Sequence, residues 1–212
     1  MKHKSVQLNL EHCLVDRSFE PSSDFGWANR AVIHCADVLN CCFGELGVSI
    51  PHWTELNERS ERWESLKPPS FIPIYYKKAD REKGEAFPEI WYSHACHIIG
   101  IQHFMLAQIL LAIFNPNIPR IGGSRNTALR SMEEEIKSRL RELCGIGMSN
   151  RWTPPGMFTA SMGISLCGDR FTERIDQEAL LDVLANTEKD HARPTAVLQQ
   201  QMMKSWGWIS DD

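Results

Sequence analysis

The sequence predicts an all-α fold: six to seven helices packed around a buried central helix over about residues 88–114. Three observations carry that expectation. Apolar residues recur at three- and four-residue spacing through most of the chain, and no stretch of any length alternates strictly between apolar and polar. No Asn-Gly or Asp-Gly pair marks a hairpin. The run from Pro88 to Phe114 then carries, after Glu89, no ionisable side chains of the Asp, Glu, Lys or Arg kind. Apolar on every face, it describes a helix buried on all sides. Pro88 suits a first helical position, and Asn115-Pro116 with Pro119 supply the stop. Such a length would also span a bilayer. Because His94, His97, Gln102, His103 and Gln108 are spread through it and no charged anchor follows, the expectation is a core helix and no membrane span.

In chain order, residues 1–23 read as a lead-in segment, with Val6, Leu8, Leu10 and Leu14 leaning on the body of the protein. Asp24 is a good cap for a helix over 25–43, in which Ala28, Val32, Cys35, Leu39 and Cys42 share one face, and Gly44 and Gly47 end it. Pro51 opens a second helix with Trp53, Leu56, Ser60 and Trp63 inward, stopped by Lys67-Pro68-Pro69. Residues 67–87 form the longest irregular stretch. Phe71, Ile72, Ile74, Tyr75 and Tyr76 predict an ordered stem, and the charged residues 77–86 a mobile tip.

Beyond the central helix, Gly122-Gly123 makes a turn and Ser124 caps a helix striped by Leu129, Met132, Ile136, Leu140 and Leu143. Glu133 with Lys137 and Glu135 with Arg139 stand four apart in the favoured order, which predicts a solvated face. Pro154-Pro155 begins a short helix thinned by Ala160, Ser161, Gly163, Ser165 and Gly168. Thr172 caps a helix over 173–186 that turns Leu180, Val183, Leu184 and Thr187 inward, and a last helix over 195–206 ends at Gly207. The expected organisation is therefore a single helical domain over 24–208 with a tail at 209–212.

Composition excludes some functions. The net charge is −4, and the nearest approach to a basic stripe, Lys137 to Arg141, is interrupted and follows Glu133-Glu134-Glu135, so no direct nucleic-acid contact is expected. Seven cysteines without a single C-x-x-C read as free thiols in a reducing compartment. The opening MKHKSVQLNLEH has no apolar h-region, which points to an intracellular protein, nuclear or cytoplasmic.

The candidate chemistry centres on His94, His97 and His103. The first two are three apart and share a helix face, with His103 about 80–100° off its continuation. Core histidines satisfied by hydrogen bonds are the favoured expectation, acid–base catalysis the alternative; without a third ligand or an H-E-x-x-H spacing, no metal site is expected. Cys167-Gly168-Asp169-Arg170-Phe171 ends a helix, where the dipole disfavours a thiolate, and predicts a structural turn. Ile121 to Arg125 predicts a Gly-Gly turn and cap in preference to an anion site.

Several runs carry a resemblance. Trp27-Ala28-Asn29-Arg30 with His34-Cys35-Ala36-Asp37, Phe87-Pro88-Glu89-Ile90-Trp91, and Leu143-Cys144-Gly145-Ile146 with Ser149-Asn150 and Thr153-Pro154-Pro155 are in the set. So are Cys167 to Phe171, Gln177-Glu178-Ala179-Leu180-Leu181 and Trp206-Gly207-Trp208. In this order they resemble the C-terminal part of the fungal-specific transcription factor regulatory domain, the helical effector domain of zinc binuclear-cluster regulators. The resemblance covers about Leu8 to Trp208. It implies an all-helical domain that senses a metabolite or meets the transcription machinery, and it brings no catalytic residues. The six-cysteine cluster and the first half of the regulatory domain are not in this sequence, and Arg193-Pro194-Thr195 stands where Trp-Pro-Thr would be usual.

Two functional expectations follow. The first is a DNA-binding-deficient relative of such a regulator that acts by protein association, as a homo-oligomer or with a protein partner, or by binding an apolar small molecule at Phe71, Tyr75, Tyr76 and Trp91. The second is a recruited cofactor-free biosynthetic enzyme, a cyclase or isomerase of a hydrophobic secondary-metabolite intermediate. His94, His97 and His103 would be its catalytic residues, with Tyr75, Tyr76 and Asp169 as further candidates.

Overall fold

A computed structural model describes residues 16–45 and 47–210. The expected packing of Val6, Leu8, Leu10 and Leu14, and the thiol of Cys13, lie outside the described residues. Seven α-helices and one two-stranded sheet make up the described fold, which is all-α in class. The helices are α1 (Asp24–Phe43), α2 (Ile50–Leu66), α3 (Ala95–Ile113), α4 (Gly123–Ser149), α5 (Pro154–Cys167), α6 (Arg174–His191) and α7 (Ala196–Ser205). The strands are β1 (Tyr75–Lys77) and β2 (Glu89–Trp91). Where the sequence predicts one domain, the chain divides into two compact units: the described residues up to Ile72 with Ile99–Ile136, and Pro73–Ile98 with the described residues from Lys137 onward.

The apolar run at 88–114 is a buried helix as its composition requires, but α3 starts at Ala95, not at Pro88. Glu89–Trp91 is drawn instead into β2, because its backbone finds partners on β1 and on the end of α4. Burial runs around α3, from Ile98 and Gln102 through Ala107, Ile109 and Leu110. It is the one helix among the described residues long and apolar enough to cross a membrane, and most of it is buried in the protein.

In the first unit α1 is capped by Ser23, whose hydroxyl accepts from the Gly26 N–H at 3.3 Å, one residue before the expected Asp24. Its buried stripe runs through Ala28, Ala31, Cys35, Val38 and Cys42, so Val32 and Leu39 sit at the margin of that face. On α2 the buried side chains are Trp53, Leu56, Ser60 and Trp63, as the spacing predicts. Trp63 stacks on Phe104 at 4.4 Å between ring centroids and meets Trp27 and Phe71 edge-on at 6.4 and 5.7 Å. Its indole N–H donates to the Trp27 carbonyl at 3.2 Å. Each ring of this kind contributes roughly 2–3 kcal/mol by leaving water. Residues 16–20 are held to α1 by Arg30, which donates to Asp16 at 2.8 Å and to the Glu20 carbonyl at 2.7 Å.

In the second unit β1 and β2 are antiparallel, with Tyr75 opposite Trp91, Tyr76 opposite Ile90 and Lys77 opposite Glu89. Three-residue strands are too short to show a period of two, which is why the sequence gives no strand signal here. The free edge of β2 is satisfied from α4 and the residue after it. Ser149 Oγ accepts from the Ile90 N–H at 3.0 Å, and the Asn150 amide donates to the Ile90 carbonyl at 2.8 Å. The charged segment expected to be a loose tip is tied down: Lys77 pairs with Glu85 at 2.7 Å, and Arg81 reaches Asp176 on α6 at 2.7 Å. α6 begins at Arg174 with Glu173, not Thr172, at the cap position, and buries Leu180, Val183, Leu184 and Thr187.

The turn after α5 is a structural turn. Gly168 leaves room for Met202, whose sulfur would lie 3.0 Å from a Cβ placed there. The Gly168 carbonyl accepts from the Trp206 indole at 3.1 Å, and Gln177 links the Phe171 carbonyl to the Trp208 indole at 2.8 and 3.0 Å.

Candidate functional site

The three histidines are held by separate local partners. His94 is exposed just before α3, where its Nδ1 accepts from the Cys96 N–H at 3.2 Å and so acts as a cap. His97 is buried with its Nδ1 3.2 Å from the Ser93 hydroxyl, and the His94 and His97 rings lie edge-on at 6.1 Å. On the following part of α3 the His103 Nδ1–H donates to the Ile99 carbonyl at 2.8 Å, which fixes the tautomer. Burial pushes its pKa below the ordinary value, the hydrogen bond to the Ile99 carbonyl opposing. Among the described residues no group of three His, Cys, Asp or Glu side chains is placed to hold a metal ion.

Asp169 is exposed in the turn after α5. Phe71 is 1% exposed and belongs to the aromatic stack on Trp63, so it supports the core and cannot close over a ligand without leaving it. Tyr75, Tyr76 and Trp91 are on the surface of the β1–β2 ribbon. By register Tyr75 and Trp91 are directly paired and share a face with Lys77 and Glu89, whereas Tyr76 shares the other with Ile90.

Trp91 lines a cleft. Its volume is about 400 Å³, and it opens to solvent between the segment from Gly84 to Trp91, the C-terminal part of α4 and the middle of α6. On one side stand Glu85, Ala86, Phe87, Pro88 and Glu89; α4 supplies Gly145, Met148 and Ser149, and α6 supplies Ala179 and Asp182. Gly145 allows the walls to meet: a Cβ there would lie 2.3 Å from the Pro88 carbonyl oxygen. The Trp91 indole N–H donates to Glu89 Oε1 at 2.7 Å, which fixes the ring beside a carboxylate. Glu85 is held by Lys77, whose hydrogen bond keeps the carboxyl below its ordinary pKa with help from the Asp80 N–H. Asp182 has no ion-pair partner among the described residues.

Sequence reasoning picks out Trp91 alone among the lining residues. Met148, Ala179 and Asp182 have no chemistry-bearing spacing of their own in the sequence, nor has Gly145. The runs that carry the family resemblance include Phe87 to Trp91, Gly145, Ser149 and Ala179, whereas Met148 and Asp182 lie outside them. No family model matches this chain, and no curated protein or solved structure matches it either.

Proposed function

We propose that this chain is a binding module of the kind exemplified by the fungal-specific transcription factor regulatory domain, and that it acts by holding a small molecule in the cleft beside Trp91. The observation that supports this reading is convergence. Phe87, Pro88, Glu89 and Trp91, then Gly145 and Ser149, then Ala179 come from three separate runs of the resemblance, and all line one cleft. Its volume of about 400 Å³ lies within the range for small-molecule sites. Ala86, Pro88 and Met148 give it an apolar lining, with carboxylates set around it.

Association with a protein partner or a second copy belongs to the same reading. Ile74, Tyr75 and Tyr76 are 69%, 48% and 53% exposed beside Trp91, a surface suited to contact that responds to what the cleft holds. The nuclear or cytoplasmic location follows from the regulator reading. The enzyme reading draws no support from this cleft, because His94, His97 and His103 do not line it.

The test is a fragment screen on the full chain by two-dimensional NMR, with the Trp91 indole as reporter. Binders whose perturbations map to Trp91, Met148 and Ala179, and which lose affinity in Trp91→Ala, support the proposal. A screen without hits at these residues counts against it.

A further inference from the structure

The cleft has a sign. Its lining contains three carboxylates, Glu85, Glu89 and Asp182, and no lysine, arginine or histidine. Lys77, outside the lining, pairs with Glu85 at 2.7 Å and stands across the strands from Glu89, so a single positive charge faces the three carboxylates. Glu89 accepts from the neutral Trp91 indole, which orients the carboxylate and leaves its charge in place. Asp182 stands exposed on α6.

The aromatic surface points the same way. Trp91 lines the cleft with its N–H edge held by Glu89, and Tyr75 is its cross-strand neighbour on the same face of the ribbon. A ring face carries negative electrostatic potential, and a cation over it is attracted by roughly 0.5–1 kcal/mol at an exposed site and by more when water is excluded. A carboxylic acid or phosphate ligand would meet carboxylate repulsion here, with Lys77 already engaged. A neutral apolar ligand would use Pro88, Ala86 and Met148 but would shield Glu89 and Asp182 from water without replacing their hydration. An ammonium ion on an apolar body satisfies both sets of groups.

The geometry points to a small organic ammonium ion as the ligand class of this cleft, its charge set between Glu89 and Asp182 against the face of Trp91 and its apolar body on Pro88 and Met148. This rests on the binding reading of the cleft and specifies its ligand. The same ammonium chemistry occurs at the end of a lysine side chain. The cleft is bounded on three sides by the 84–91 segment, α4 and α6, which favours the free small molecule.

The experiment is a calorimetric titration of the full chain with phenylpropylamine, phenylpropanol and phenylpropanoate, compounds of one shape and three charges. A short neutral peptide with one central lysine is a fourth arm. The amine is expected to bind about tenfold more tightly than the alcohol, as the sum of one cation–π contact and one exposed ion pair, and the carboxylate more weakly than both. Asp182→Asn and Glu89→Gln each reduce the preference for amine over alcohol by about threefold without weakening the alcohol, a result that general loss of structure does not give. Equal binding of amine and alcohol overturns the ammonium assignment while the binding reading stands. Binding of the lysine peptide without the amine overturns the small-molecule source. Absence of binding in all arms, together with a fragment screen that leaves Trp91 unperturbed, overturns the assignment and the reading beneath it.

Discussion

Arg81 donates to both carboxylate oxygens of Asp176, at 2.7 and 3.0 Å, and Arg141 does the same from α4 at 3.1 and 2.8 Å. The side chain between the two guanidinium groups is 1% exposed. Burial raises the pKa of this carboxyl, but the hydrogen bonds from Arg141 and Arg81 outweigh it and hold the group below its ordinary value. The consequence is mechanical. A charged segment with no helical or strand period is fastened at Arg81 to the base of α6, just before the Gly84–Glu89 wall of the cleft.

Asp176→Asn is therefore expected to remove the charge that two arginines share. Only the carboxylate is buried and both arginines are partly exposed, so the cost is that of the lost charge-assisted hydrogen bonds, roughly 1.5–3 kcal/mol. Denaturant unfolding reads that loss, and limited trypsin digestion adds a local readout, with new cleavage at Lys77, Lys78, Arg81 or Lys83. Unchanged cleavage in the variant would mean that the Lys77–Glu85 pair is enough to hold the segment.

Gly145→Ala is expected to damage the cleft directly. The added carbon would lie 2.3 Å from the Pro88 carbonyl oxygen, which is backbone and cannot rotate away. Either α4 or the start of β2 must shift, a strain of roughly 1–3 kcal/mol. The expected result is a lower melting temperature with perturbed NMR signals at Ile90, Tyr92 and Trp91, whose backbone is held by Ser149, Asn150 and β1. Gly84→Ala, at φ 81° with nothing within 4 Å of the added carbon, strains its own turn and leaves those signals in place.

Most of the fold was legible because it depends on local period. Trp53, Leu56, Ser60 and Trp63 are one stripe of α2 both by spacing and by burial, and Leu180, Val183, Leu184 and Thr187 are another on α6. Pro88 misled because a proline before an apolar run is a good helix opening by every local rule; what overrides it is a tertiary clamp, Asn150 on the backbone of Ile90, from 60 residues away. The β1–β2 pair was hidden by strand length. For the site, the histidines drew attention by chemical type, whereas Glu89, Asp182, Met148 and Gly145 become a site only when chain-distant segments meet. No pattern within one window encodes that meeting.

The thiols offer a separate check. Cys35, Cys41, Cys42, Cys96, Cys144 and Cys167 are all buried. Burial pushes Cys35 and Cys42 up to about 12, Cys42 with added repulsion from Cys41 and Cys35, and raises Cys144 far above the ordinary thiol value. Since the thiolate is the reacting species, these groups are expected to stay unlabelled by a disulfide reagent at neutral pH in the native protein and to react fully in denaturant. Rapid native labelling at Cys35, Cys42 or Cys144, read by mass spectrometry, would contradict the packing of α1 or of α4 around it.

The last prediction concerns acid. His34 on α1 and Ser60 on α2 are buried together, Nε2 to Oγ at 2.7 Å, and the His34 Nδ1 has no hydrogen-bond partner. Burial is the main reason that its pKa falls from 6.5 to about 4; the positive charge of Arg59 adds to the shift and Asp37 opposes it. The neutral ring is therefore the folded form. Above pH 6.5 neither state binds the proton, and stability is fully present. As pH falls from 6.5 towards 4 the unfolded chain takes up a proton that the folded ring refuses, so stability declines across that window and the decline levels off below it. Between about pH 7.5 and about pH 5 the expected loss is roughly 2 kcal/mol from this residue. His103, lowered by burial as well, adds a smaller decline of the same sign. His34→Gln keeps a polar side chain near Ser60 and cannot titrate. Denaturant unfolding at both pH values should show the variant less stable at neutral pH and much flatter towards acid, whereas an equal slope in variant and parent would place the acid sensitivity elsewhere.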